Sequence, residues 1–282
     1  MLAIIGGSGL YALDELEIVN EHDIDTPFGK PSAPIVEAKA FGTSVLFLPR
    51  HGRNHEFLPS EVNYRANIYA LKKLGATTVL SISASGSLQE EIAPGDMVLV
   101  SQYFDHTRGK REASFFGAGV TAHISTAAPA CPVLAEDVFK AANDLGINLH
   151  RDKIYACVEG PRLGTKAESN FLRNAVKADV VGMTNVPESF LAREAQMGYV
   201  TLAIATDYDC WREDPDEYVS VEAVFEVYYE NIGKIKKMIL KLLENGISDT
   251  PENIRTALKG AVMTPDERLN DAQTEWLGVL RS

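Results

Sequence analysis

Short apolar runs alternate along the chain with stretches in which apolar residues recur at helical spacing. Leu2 to Gly6 predicts a buried strand stopped by glycines, and residues 44–49 predict a second. Residues 60–74 predict a helix with Ser60 as N-cap and Gly75 as its stop, carrying Val62, Ala66, Ile68, Tyr69 and Leu71 as apolar positions. Further strands are expected at 78–83, 97–100, 154–158, 180–183 and 200–205. Helices are expected at 132–145, closed by Gly146, at 165–177, and at 220–245, where Ser220 is the N-cap and Gly246 the stop. Two more helix starts follow: Thr250-Pro251, and Thr264-Pro265-Asp266-Glu267, which reads as a capping box with proline at the first helical position.

The alternation of strand and helix argues for an α/β fold, a single domain with a mixed central β-sheet flanked by helices, plus a helical C-terminal tail. The domain is expected over 1–246 and the tail over 247–282. The tail is more polar and is expected to pack on the surface or on a neighbouring subunit.

Composition narrows the partners. The chain has 282 residues and a formal net charge of −12, so it lacks the basic footprint that nucleic acid needs. A small anion held in a local pocket stays open. The three cysteines, Cys131, Cys157 and Cys210, are widely spaced with no C-x-x-C pair, which predicts reduced cysteines and no metal site. The N-terminus lacks a basic stretch and a long apolar run, and no segment reads as a membrane span. A cytoplasmic protein is expected.

Four clusters carry candidate chemistry. Gly6-Gly7-Ser8-Gly9 follows the first strand, where backbone N–H groups and a serine hydroxyl meet anions; an ordinary tight turn is the equal alternative. The run fits neither G-x-G-x-x-G nor a P-loop. Arg50-His51-Gly52-Arg53-Asn54-His55 gathers two arginines and two histidines at a strand's C-terminal end, where open α/β sheets hold ligands. Set against a solvated basic loop, the anion site is favoured in so acidic a chain. Ser83-Ala84-Ser85-Gly86-Ser87 suits phosphate or sugar, though such clusters commonly mark turns. Asp207 and Asp209, at i and i+2, can face one ligand; burial and mutual repulsion would keep one protonated as an acid. A metal site or polar turn is the alternative there.

The ordered set of strings resembles the trimeric purine nucleoside phosphorylase superfamily and, within it, the methylthioadenosine phosphorylases. It comprises Ile-Ile-Gly-Gly-Ser-Gly-Leu at 4–10, Asp-Thr-Pro-Phe-Gly-Lys-Pro-Ser at 25–32, Arg-His-Gly-Arg-Asn-His at 50–55 and Val-Asn-Tyr-Arg-Ala-Asn at 62–67. It continues with Gly-Ser-Leu-Gln-Glu-Glu-Ile-Ala-Pro-Gly-Asp at 86–96, Glu-Gly-Pro-Arg at 159–162, Gly-Met-Thr-Asn-Val-Pro-Glu at 182–188 and Ala-Thr-Asp-Tyr-Asp-Cys-Trp at 205–211. The resemblance spans about residues 3–243.

It implies phosphate contacts from Ser8, Arg50, His51, Ser83, Ala84 and Thr184. It implies Met183 under the ribose, Asp207 as the acid addressing purine N7, and Asp209 at the exocyclic amino group. Val221 and Val224 resemble an apolar wall around a 5'-methylthio group, and His123 a residue lent by a neighbouring subunit. The reaction implied is phosphorolysis of 5'-methylthioadenosine to adenine and 5-methylthioribose 1-phosphate, in purine and methionine salvage. Inorganic phosphate is then a co-substrate, with no metal or organic cofactor, no nucleic acid and no membrane, in a homotrimer or a dimer of trimers.

One departure stands out. After Glu-Gly-Pro-Arg the family usually continues Phe-Ser-Ser/Thr, and here Leu163-Gly164-Thr165 follows. Leucine there is closer to 6-oxopurine-preferring relatives, which makes a methylthioinosine or 6-oxopurine nucleoside phosphorylase the alternative. Those relatives carry Asn at the position of Asp207, so the Asp pair favours adenine. A non-catalytic nucleotide-binding module is the remote alternative, and it leaves Arg50-His51 and the Asp pair without a joint purpose.

Overall fold

The computed structural model describes every residue except 8–9, 11–15 and 214–218, and the side chain of Ala223. Nine strands form one mixed sheet: β1 (Leu2–Gly6), β2 (Glu17–His22), β3 (Ile35–Ala40), β4 (Thr43–Pro49), β5 (Thr78–Ser87), β6 (Met97–His106), β7 (Leu149–Val158), β8 (Val180–Gly182) and β9 (Gly198–Asp207). Their order is β2-β3-β4-β1-β5-β8-β7-β6-β9, and β9 also pairs with β5. That last pairing closes β5, β8, β7, β6 and β9 into a ring, from which β1, β4, β3 and β2 extend as an open wing.

The helices are α1 (Tyr64–Lys73), α2 (Pro132–Asp144), α3 (Lys166–Phe171), α4 (Asn185–Glu194), α5 (Val221–Asn245), α6 (Glu252–Arg255) and α7 (Asp271–Arg281). Alternation along β1 shows how they layer. Leu2 and Ile4 join a core cluster with residues of α2 and α5, while Ala3 and Ile5 join another with α1, α4 and α7. Both faces of β1 are therefore covered by helices. A third cluster, with Val98, Val100, Tyr155, Ala203 and Ala205, lies among the ring strands.

The single α/β domain with a mixed, helix-flanked sheet is as expected, and each predicted strand is present, most of them longer. Several local expectations are corrected. Helix α1 begins at Tyr64, capped by Asn63 rather than Ser60; the Asn63 side chain accepts the Ala66 N–H at 3.1 Å while its amide donates to the Phe28 carbonyl at 2.7 Å. The short polar side chain that also ties down the 28–30 loop wins the capping position.

The capping box at Thr264–Glu267 is absent: residues 266–268 make one 3₁₀ turn without a side-chain cap. Thr264 Oγ1 is engaged by the Thr121 N–H, and the capping box forms instead between Asn270 and Gln273 at the start of α7. Strands β2 and β3 and helix α4 were not foreseen. Strand β2 is an exposed edge with little alternation, and α4 is buried on nearly all sides with polar residues among the apolar ones. Neither leaves a periodic apolar stripe to read.

The tail is knitted into the domain. Leu258, Trp276, Leu277 and Leu280 are buried in the cluster that holds β1 and α1.

Candidate functional site

The C-terminal ends of β1, β4, β5 and β9 converge. The Arg50 N–H donates to the Gly6 carbonyl at 2.9 Å, which holds the end of β4 beside the end of β1. Together with the 158–164 loop, the segment entering α4 and the first turns of α5, these ends enclose a cavity of about 740 Å³.

Arg50 lies at one end. Its Nε and Nη2 make a bidentate pair with Glu188, at 2.7 and 2.9 Å. Nη2 also donates to Ser81 Oγ at 2.6 Å and Nη1 to the Ile82 carbonyl at 3.1 Å. Burial alone would lower the guanidinium pKa; the charge and hydrogen bonds of Glu188 more than offset it, and the pKa lies above its usual value. Four of the five donor hydrogens are therefore committed inside the fold.

His51 beside it turns Nδ1 to the Phe57 carbonyl at 2.9 Å, and its ring stacks on His55 with centroids 4.6 Å apart. Burial, helped by the Arg50 charge, pushes its pKa down to about 4, so the ring is neutral near pH 7. With Nδ1 facing a carbonyl, the proton sits there and Nε2 is left as an acceptor. The one ring proton of His51 is thus already spent on the Phe57 carbonyl.

Around these residues lie Ser83, Ala84, Ser85 and Thr184. The hydroxyls of Ser85 and Thr184 are buried with no hydrogen-bond partner among the described residues. Buried hydroxyls rarely stay unpaired, so two on one wall point to a polar ligand.

The opposite end is acidic. The Asp207 carboxylate lies 2.7 Å from Thr206 Oγ1, and its other oxygen accepts the Asp209 N–H at 2.7 Å. That contact needs Asp209 at φ +51°, a left-handed conformation that aspartate tolerates better than most residues. Asp207 is 9% exposed and Asp209 7%. Burial raises both pKa values, and the Asp209 charge pushes Asp207 further up. Gly86 makes this possible: a Cβ there would sit 3.0 Å from Asp207 Oδ1. Ser169 lines the same end, its hydroxyl buried and without a partner among the described residues. Leu163 and Gly164 are here too, and a Cβ on Gly164 would meet only the two Asp209 oxygens, at 3.8 Å. The departure at Gly164 therefore falls beside the Asp209 carboxylate.

Between the ends lies Met183. Gly160, at φ +69°, leaves it room, because a Cβ there would come within 2.5 Å of the Met183 sulfur. Val221, Val224, Phe225, Tyr228 and Tyr229 of α5 form an apolar mouth. Val221 is 54% exposed and Tyr229 60%, unusually high for large apolar side chains on one cavity rim.

Of the residues singled out in the sequence, Arg50, His51, Ser83, Ala84, Leu163, Met183, Thr184, Asp207, Asp209, Val221 and Val224 all line this one cavity. Ser8 lies outside the described residues. His123 is not in the cavity of its own chain; it is exposed, and its N–H donates to the Ala261 carbonyl at 3.0 Å.

Sequence reasoning missed Ser169 and, above all, Glu188. A buried arginine requires a counter-charge, and Glu188 stands in the 182–188 string already picked out, so that much was readable. Which carboxylate answers Arg50 across 138 positions was not.

The arrangement offers a paired cation with free hydroxyls at one end, protonatable carboxyls at the other and an apolar mouth between. Among the described residues no group of three or more His, Cys, Asp or Glu side chains is arranged to hold a metal ion, and no helix is long and apolar enough to cross a membrane.

Comparison with known proteins gives the family. The chain is 44% identical over 275 residues to the S-methyl-5'-thioadenosine phosphorylase of Geobacter sulfurreducens, covering 98% of this chain and 95% of that one. It is 48% identical over 242 residues to the S-methyl-5'-thioadenosine phosphorylase of Hyperthermus butylicus, covering 86% and 87%. A methylthioadenosine phosphorylase from an Antarctic soil metagenomic library superposes with a TM-score of 0.91 at 41% identity, covering 99% and 98%. The Schistosoma mansoni methylthioadenosine phosphorylase in complex with adenine gives 0.87 at 36%, covering 93% and 98%. Residues 1–244 match the model of the phosphorylase superfamily, and the chain belongs to that family.

Proposed function

We propose that this cavity carries out phosphorolysis of 5'-methylthioadenosine, releasing adenine and 5-methylthioribose 1-phosphate. The observation that carries the reading is the buried Asp207–Asp209 pair, with both pKa values raised, facing the same cavity as Arg50. Adenine presents an acceptor at N7 beside a donor at its 6-amino group. A protonated Asp207 donates to N7, and Asp209 accepts from the amino group. As the C1'–N9 bond breaks, its electron pair passes into the purine, and a phosphate oxygen lone pair closes on C1'. In net terms the proton of hydrogen phosphate ends on adenine, so a neutral nucleoside and a dianion give a neutral base and a dianionic ester. Acid assistance at N7 contributes ~10²–10⁴-fold.

Phosphate is assigned to Ser8, Arg50, His51, Ser83, Ala84 and Thr184. The unpartnered Thr184 hydroxyl and the remaining Arg50 hydrogen are donors suited to its oxygens. His51 Nε2 accepts a hydrogen bond from the hydroxyl of hydrogen phosphate. Met183 packs under the ribose, Leu163 on the base, and Val221 and Val224 around the methylthio group. No cofactor takes part; phosphate is the co-substrate.

His123 is assigned to a neighbouring subunit's cavity, in a homotrimer or dimer of trimers located in the cytoplasm. The tail supports that role. Ala122 bridges Val262, and the Met263 N–H donates to the Thr121 carbonyl at 2.8 Å, so the extension over 247–282 braces the segment that carries His123.

The test is kcat/KM for methylthioadenosine, methylthioinosine, inosine and adenosine, with and without phosphate. Methylthioadenosine should lead, and base release should require phosphate. A preference for inosine, or release without phosphate, overturns the reading.

A further inference from the structure

The bidentate Arg50–Glu188 pair does more than hold an arginine still. Glu188 is fully buried, and its Oε1 also accepts the hydroxyls of Ser81 at 2.8 Å and Tyr199 at 2.9 Å. With the two from Arg50, the Glu188 carboxylate takes four hydrogen bonds and is ion-paired with the guanidinium. The neighbouring His51 ring adds no charge, because its Nδ1 proton faces the Phe57 carbonyl. The remaining assigned phosphate ligands are neutral hydroxyls and backbone.

We infer that Glu188 is a positioning residue that makes the phosphate subsite electrically neutral, so that bound phosphate keeps its own negative charge for the ribosyl cation. The inference rests on the assignment of phosphate to the Arg50 end. A lone arginine beside the nucleophile would bind phosphate more tightly and also quench the charge that draws it to C1'. The transition state gains from phosphate's negative charge only to the extent that the protein leaves that charge uncompensated. Glu188 cancels the monopole of Arg50 while leaving one of its hydrogens to orient a phosphate oxygen. The bond changes are those of the phosphorolysis given above, and Glu188 exchanges no proton.

The experiment is steady-state kinetics of Glu188→Gln, with phosphate and methylthioadenosine varied separately. The expected split is an unchanged or lower KM for phosphate, a kcat lower by ~30-fold or more, and a KM for the nucleoside within about threefold. Glu188→Asp, which keeps the charge, should recover most of that kcat.

Because an unpaired buried arginine threatens folding, the second variant is Arg50→Met with Glu188→Met, an exchange of a buried ion pair for apolar side chains that proteins often tolerate. It should raise the KM for phosphate yet retain more kcat at saturating phosphate than Glu188→Gln. The inference is overturned if Glu188→Gln raises the phosphate KM with kcat intact, or if the double variant falls below it in kcat. An unchanged phosphate KM in the double variant would instead overturn the assignment of phosphate to this end.

Discussion

The two ends of the cavity handle charge in opposite ways. At the Arg50 end the fold satisfies its own charges: guanidinium meets carboxylate, and His51 is held neutral by burial. At the Asp207 end the fold leaves two carboxyls close together, buried and without a cationic partner among the described residues, and both pKa values rise. The first end is pre-organised for an anion without needing it. The second holds an unmet demand for a donor and an acceptor edge, which a purine supplies. Binding strength and chemical drive are thus separated along one cavity.

Arg50→Ala breaks this contrast most severely. It leaves Glu188 as an unpaired buried charge, so stability to denaturant should fall by about 3–5 kcal/mol and activity should be lost with it. A variant as stable as the parent would show that the pair is not the structural keystone of its end.

Asp207→Ala acts at the other end and should spare the fold. The expected loss is ~10²–10⁴-fold in kcat/KM for methylthioadenosine, with the KM for phosphate within a few-fold of the parent. A parallel rise in the phosphate KM would mean that the two ends are not separable.

Asp207→Asn sharpens the comparison further. An amide donates to N7 at every pH and suits a 6-oxo group, so the ratio of inosine to adenosine turnover should rise by ~10-fold or more. The pH profile should change with it. In the proposed role Asp207 is the acid, and its pKa is raised, so parent activity should fall as pH climbs through that raised value. The asparagine variant should lose this alkaline limb; if the limb persists, another group owns it.

The smallest effect belongs to Thr184→Val. Removing one unpartnered hydroxyl should raise the KM for phosphate by roughly tenfold and leave kcat near the parent value. Equal weakening of both substrates would argue that Thr184 shapes the cavity as a whole.

Much of this was legible in the sequence. The β–α alternation gave the fold class, and eleven of the thirteen residues singled out for the site line one cavity, His123 standing apart and Ser8 lying outside the described residues. Most were readable because they sit at or just past a strand's end, where an apolar run gives way to glycine, hydroxyl or charged residues; Val221 and Val224, on α5, were marked only by the resemblance. Helix α4 was illegible because its buried polar residues erase the stripe, and the Asn63 cap because its second contact, to Phe28, lies 35 positions away.

What the sequence determined by itself was local: where strands end, which residue types cluster there, and that Asp207 and Asp209 stand two positions apart where an apolar run stops. Those properties follow from spacing and covalent chemistry over a few residues. What only the tertiary structure decided was the state of each group. The pairing of Arg50 with Glu188, the spent proton of His51, the room that Gly86 leaves for Asp207, and the brace of the tail on the His123 segment all join residues distant in the chain. Charge and protonation depend on burial and partners, and those exist only once the sheet has brought the strand ends together.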